Sequence, residues 1–147
     1  MDIIDKIETA QFNFSPVGFR IVAEDLLLYH DSFKPKEFSL VPFFLCCRAI
    51  ELGLKALHLE TRKQSEVKKD FGHDLKALYD ALPSGICLLS PSEETLLRET
   101  NDLYISKAFE YMHPYHAGHG FSIFPHIIDL ENLARRIVNL SKDNHMK

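Results

Sequence analysis

"SLVPFFLCCRAIELGLKALHLETRK", residues 39–63, decides the fold. Cys46, Cys47, Ile50, Leu54 and Leu57 spread apolar surface over several sides of a helical period. A helix at the surface keeps its apolar residues in one stripe, whereas one apolar nearly all round belongs inside a bundle. Ser39 opens the segment, and Pro42 lies in its first turn, where the missing proline N–H costs no helical hydrogen bond. Gly53 lowers helix propensity but lets a second helix approach closely. Glu51 and Lys55 stand four residues apart, a favourable spacing for an ion pair. In so apolar a helix they must be paired if buried, because a lone buried charge is costly. The stretch reads as a central buried helix carrying a structural ion pair.

The flanking segments supply its neighbours. In "FSPVGFRIVAEDLLLYHDS", residues 14–32, Ser15 caps and Pro16 takes the first helical position. Val22, Leu26 and Tyr29 are expected to form its apolar face. "QSEVKKDFGHD", residues 64–74, is a charged connector. Asp74 then caps a short helix with Leu75, Leu78, Tyr79 and Leu82 apolar, stopped by Pro83 and Gly85. "SPSEETLLRETNDLYISKAFEYM", residues 90–112, opens with Ser90, Pro91 and Glu93 in a capping-box pattern and carries a stripe of Leu97, Tyr104, Ala108 and Tyr111. "PHIIDLENLARRIVNLSK", residues 125–142, is amphipathic through Ile127, Leu130, Leu133, Ile137 and Leu140. Five helices and no clear strand pair predict an all-α helical bundle, one domain over residues 1–147 with its core at about 15–140. The first ten and last five residues or so are expected to be loose.

Composition narrows the function classes. Forty-six per cent hydrophobic residues suit a globular core, yet no apolar run reaches the roughly 18 residues a membrane span needs. The acidic start MDIIDKIETAQF does not resemble a signal peptide, so a cytoplasmic protein is expected. Cys46, Cys47 and Cys87 are an odd number and include an adjacent pair, which points to reduced, buried thiols. A net charge of -4 argues against a broadly basic nucleic-acid binder. Arg62, Lys63, Lys68 and Lys69 form a basic cluster, but Glu60, Glu66 and Asp70 interrupt it, so it reads as a solvated connector.

"KAFEYMHPYHAGHGF", residues 107–121, gathers His113, His116 and His119 at every third position. On a regular helix that spacing swings the rings apart; Pro114 and Gly118 make it a loop, which prescribes no convergence on a metal. No metal and no cofactor are expected. The active reading makes His113 an acid or base, with Lys107 steadying a phosphate and Glu110 and Tyr115 beside them. The alternative is a polar helix end, where Lys and His suit the C-terminal dipole.

Three pieces together resemble the HEPN family of small helical domains: "CRAIELGLKALHLE" at residues 47–60, "FGHDLKALYDAL" at 71–82 and "LYISKAFEYMHP" at 103–114. The resemblance runs from the first helix to about residue 140 and implies an up-and-down bundle that commonly dimerises. Many members are metal-independent ribonucleases, marked by an arginine followed after four to six residues by a histidine. This chain lacks that signature: Arg20 to His30 and Arg48 to His58 are each ten apart, and its nearest approach is Lys107, five residues, then His113. Lysine lacks the planar fork of arginine. On an unbroken helix Lys107 and His113 would point about 120° apart. The departure favours a non-catalytic binding or assembly module, such as relatives in prokaryotic defence and toxin–antitoxin systems, over a ribonuclease using Lys107, His113 and Tyr115. Candidate binding residues are Glu51, Lys55, His73, Asp74, Glu110 and Tyr111, with a protein, nucleotide or RNA as partner; the resemblance puts His73 and Asp74 near that partner, and for Asp74 the competing role is a helix cap. A homodimer is expected, since the second and fourth helices are denser in apolar residues than a small bundle readily covers.

Overall fold

The computed structural model describes residues 15–87, 89–107 and 124–145. Six helices occupy them: α1 (Pro16–Ser32), α2 (Val41–His58), α3 (Gln64–Phe71), α4 (Leu75–Asp80), α5 (Pro91–Ile105) and α6 (Ile127–His145). Among the described residues there is no strand. Four of these helices form the bundle. Phe43 at the start of α2 meets Phe124 just before α6, and Gly53 meets Ile137, so α2 and α6 run side by side in one direction. Asp31 late in α1 pairs with Arg135 while Glu24 earlier in it lines one cavity with Lys142, and Tyr104 late in α5 lies against Phe44 early in α2 while Glu93 at its start pairs with Arg136, so α1 and α5 run the other way. The chain goes up and down, with α3 and α4 inserted between α2 and α5.

α2 is the centre, as its apolar breadth requires. Ala49, Ile50 and Leu54 are fully buried, and every residue from Ala49 to His58 is buried. Gly53 is the close-approach point: a Cβ there would sit 3.1 Å from Ile137 Cγ2 and 3.5 Å from Val138 Cγ2. The helix starts follow local chemistry. Ser15 Oγ accepts from the Gly18 N–H at 2.9 Å. Ser90 Oγ accepts from the Glu93 N–H while Glu93 Oε1 accepts from the Ser90 N–H, which completes a capping box.

Four expectations are corrected. Residues 64–71 form a helix rather than a connector: Arg62 pairs with Glu66 and Asp70 along it, and Val67 is buried beneath. α1 buries Ala23, Leu27 and His30, with Leu26 half-buried, while Val22 and Tyr29 are exposed. The apolar face is therefore rotated from the one read in the sequence, because His30 enters the interior by bonding Glu131 at 3.0 Å. α5 ends at Ile105, before Lys107, which has φ 62, a left-handed conformation that cannot continue the helix. α6 continues to His145, where Nδ1 meets Glu60 at 2.7 Å, so residues 143–145 are helical where a loose end was expected.

Gly53→Val should destabilise the fold by about 2 kcal/mol, because the added atoms meet fully buried Ile137 and Val138 and the core cannot open without cost. Urea denaturation checks this; an unchanged midpoint would mean that α2 and α6 are loosely packed there.

Candidate functional site

A fully buried carboxylate organises one end of the bundle. Glu51 is 0% exposed and lies between α2, α5 and the turn joining α3 to α4. Its Oε2 accepts from Arg48 at 2.7 Å and from Lys55 Nζ at 2.9 Å. Its Oε1 accepts from the Tyr104 hydroxyl at 2.7 Å and lies 2.9 Å from His73 Nδ1. A carboxylate offers about four lone-pair sites, and four donors fill them. Burial by itself would push this carboxyl up, but the positive charges of Arg48 and Lys55, with hydrogen bonds from Lys55 and Tyr104, outweigh it and hold it below the ordinary carboxylate value. Glu51 is thus an anion that only accepts, and His73 must carry its proton on Nδ1 to face it.

Each donor has a local reason for its position. Arg48 and Lys55 stand one turn before and after Glu51 on the same helix face. Tyr104 comes from the last turn of α5, its ring 6.5 Å from that of Phe44. Burial and the adjacent carboxylate raise its hydroxyl far above the usual tyrosine range, so it serves as a fixed donor. His73 follows Gly72, whose φ of 56 and ψ of -118 turn the chain sharply after α3. Asp74 caps α4, its Oδ1 accepting from the Ala77 N–H at 3.0 Å and from Asn101 Nδ2 at 2.9 Å. Asn101 in turn accepts from the Leu75 N–H at 2.8 Å, which fixes the turn to α5.

This cluster forms the floor of a cavity of about 580 Å³, within the range of small-molecule and cofactor sites. Phe44, Phe71 and Ile105 give apolar wall; Arg48, His73, Asp74, Tyr104 and Lys107 give polar wall. The Arg48 side chain is 36% exposed and that of His73 is 69% exposed, so both connect the buried carboxylate to the open cavity. Burial opposes the charge on Arg48, but Glu51 and Tyr104 more than offset it and keep the guanidinium firmly protonated.

Of the residues proposed from sequence, the structure brings Glu51, Lys55, His73, Asp74 and Lys107 to this one region. Glu110, Tyr111, His113 and Tyr115 lie outside the described residues, as do His116 and His119. Sequence reasoning missed Arg48 and Tyr104. Arg48 had a signal, since it is three residues before Glu51 on a helix face. Tyr104 had none, because a tyrosine in an apolar stripe reads as packing until its hydroxyl partner is known.

A second polar cluster joins α1 to α6. Among the described residues, His30, Asp31 and Glu131 are the group whose ligand atoms lie close enough to share a cation, within 4.8 Å. The Arg135 guanidinium already bridges it, donating to Asp31 and, at 3.0 Å, to Glu131. It reads as an ion-pair clamp between helices. Thiol chemistry is disfavoured too, since burial pushes the Cys46 thiol up to about 12 and the Cys87 thiol up to about 11. Compared with protein-family profiles, curated proteins and solved structures, the chain matches none.

Glu51→Gln should cost about 3 kcal/mol at neutral pH, since it leaves Arg48 and Lys55 facing a neutral amide in a buried site. A carboxyl held low in the fold contributes stability that is present above its unfolded value, near 4.5, and lost as pH falls through the lower folded value. The gap between parent and variant should therefore shrink below about pH 4.5. Denaturation midpoints at pH 3.5, 5 and 7 measure it; a constant gap would show that the charge on Glu51 is immaterial.

Proposed function

We propose that this chain is a HEPN-like helical binding and assembly module without chemistry of its own, which holds a phosphate-bearing partner, RNA or nucleotide, in the cavity above Glu51. The observation that carries the reading is Arg48. Its guanidinium has five N–H donors in a fixed fork, Glu51 takes one of them at 2.7 Å, and the side chain lines the cavity. The buried carboxylate orients the arginine without exposing a negative charge to the ligand. Phe44 supplies an aromatic ring on the wall against which a base can pack, while the Phe71 ring already carries Arg62 at 5.2 Å and His58 at 4.9 Å. A prokaryotic defence or toxin–antitoxin setting accords with the family resemblance, and so does cytoplasmic location. Among the described residues no helix is long and apolar enough to cross a membrane.

The second reading is a metal-independent endoribonuclease using Lys107, His113 and Tyr115. The early end of α5 favours it, because Lys107 leaves the helix and the 120° divergence expected of a continuous helix no longer applies. It still needs lysine to replace a bidentate arginine on the transition-state charge.

Incubation with a labelled single-stranded RNA in excess EDTA separates the two. Binding by fluorescence anisotropy is expected without cleavage. Arg48→Ala should weaken binding about tenfold, the loss of one charge-assisted phosphate contact, while Arg136→Ala, at the α5–α6 ion pair, should not. Cleavage by the parent that vanishes in His113→Ala would establish the enzyme instead.

Assembly has its own support in α1, where Val22, Leu28 and Tyr29 are 42%, 63% and 69% exposed. Such side chains are a candidate contact surface for a second copy. Light scattering should give a dimer at micromolar concentration, and Tyr29→Glu should shift it toward the 16.9 kDa chain. A parent that stays monomeric across that range removes the assembly half of the proposal.

A further inference from the structure

The charges around the cavity suggest a control on ligand uptake that depends on His73, and it rests on the binding reading above. From α2, Arg48 and Lys55 contribute two cations and Glu51 one carboxylate. From the α3–α4 turn comes the Asp74 carboxylate beside His73. From α5 come Tyr104, neutral and donating to Glu51, and Lys107 at the rim, which is already engaged in an interaction. With Lys107 counted, three cations meet two carboxylates. A proton on His73 adds a second excess positive charge in favour of an anion.

The geometry suits His73 to this role. Its Nδ1–H is committed to Glu51 at 2.9 Å, which fixes the tautomer and leaves Nε2 on the other side of a ring that is 69% exposed. Neutral His73 would present a lone pair at Nε2, which repels phosphate oxygen. Protonated His73 would present an N–H there, together with a positive charge. The charge remains compatible with Nδ1 because Glu51 accepts from either form. Protonation thus converts Nε2 of an exposed, cavity-lining ring from acceptor to donor without breaking the contact that holds the ring.

We propose that His73 links ligand binding to protonation: the cavity takes a phosphodiester monoanion with uptake of a fraction of a proton, about one half at most, on the imidazole. The shared chemistry is a singly charged phosphate, which an RNA backbone or a free dinucleotide can supply.

The probe is the dinucleotide ApA, whose phosphodiester keeps one negative charge between pH 5.5 and 8.5 by the ordinary acidity of such esters, so the probe contributes no titration of its own. Isothermal calorimetry at pH 5.5, 6.5, 7.5 and 8.5, in two buffers of different ionisation enthalpy, reads affinity and protons together. The parent should bind about tenfold more tightly at the acid end, an effect suited to one added charge at a water-exposed contact. His73→Gln keeps an amide donor for Glu51 but cannot become charged, and should bind with the weaker affinity at every pH. Circular dichroism confirms that it is folded. A methylphosphonate ApA, which has no backbone charge, should show no pH dependence, and a longer single-stranded RNA should reproduce the profile of ApA if backbone phosphate is the recognised group.

Binding by the parent that does not change with pH, or pH dependence that survives in His73→Gln, overturns the proton linkage and leaves the binding reading intact. If neither ApA nor the RNA binds at any pH, both fail.

Discussion

Four donors converge on one buried carboxylate, and one end of the bundle depends on that convergence. Glu51 ties Arg48 and Lys55 in its own helix to Tyr104 of α5 and to His73 at the α3–α4 turn. Hydrophobic packing could hold α2 against α5 in many registers, since it is non-directional. The carboxylate accepts in defined directions and at defined distances, and so it selects one. Its influence also spreads along the turn, where Asp74 caps α4 and Asn101 bonds both Asp74 and the α4 backbone. The short excursion between α2 and α5 is positioned by polar bonds at its inner end, with Leu75 and Leu78 buried below.

Such an arrangement is expensive for stability alone. Removing a carboxylate and two cations from water carries a desolvation cost that a well-packed apolar substitute avoids, and replacement of buried ion pairs by apolar residues often stabilises proteins. Here the cluster is buried on one side and opens through Arg48 and His73 on the other. The α1–α6 clamp of Asp31, Glu131 and Arg135 differs in just this respect. Its groups satisfy one another near the surface, and the cavity that Asp31 and Arg135 line has Leu27, Leu28 and Val138 on its wall and no aromatic side chain among the described residues. Of the two polar clusters, the one around Glu51 is the one whose charged side chains line a cavity with aromatic walls.

Much of the bundle was legible in the sequence because its signals are local. The breadth of apolar residues in α2, the Ser15 and Ser90 starts and the Asp74 cap all act within a few residues, and all are present in the fold. The errors come from tertiary partners. α1 turned its face because His30 found Glu131, 101 residues away, so a histidine took a core position in place of Tyr29. α3 exists because Arg62 pairs along it and Val67 finds a buried seat, whereas its own composition looks like a loop. The site was half legible for the same reason. The Glu51–Lys55 pair follows from spacing, and Arg48 belongs to the same pattern, but Tyr104 and His73 reach Glu51 across 53 and 22 residues. No periodicity encodes those distances.

The same comparison bears on what kind of site this is. A catalytic centre needs groups that change protonation during turnover, with pKa values near the working pH. Glu51 is held as an anion, Arg48 is held protonated, and the Tyr104 hydroxyl is raised beyond easy ionisation. These three are locked in one state each, which suits orientation and electrostatic attraction rather than proton transfer. Of the four donors on Glu51, Arg48, Tyr104 and His73 also line the cavity, and the His73 side chain is the exposed one. A guanidinium and a phenol held in one state each, on the wall of a cavity with apolar sides, are parts that suit a candidate site for an anion.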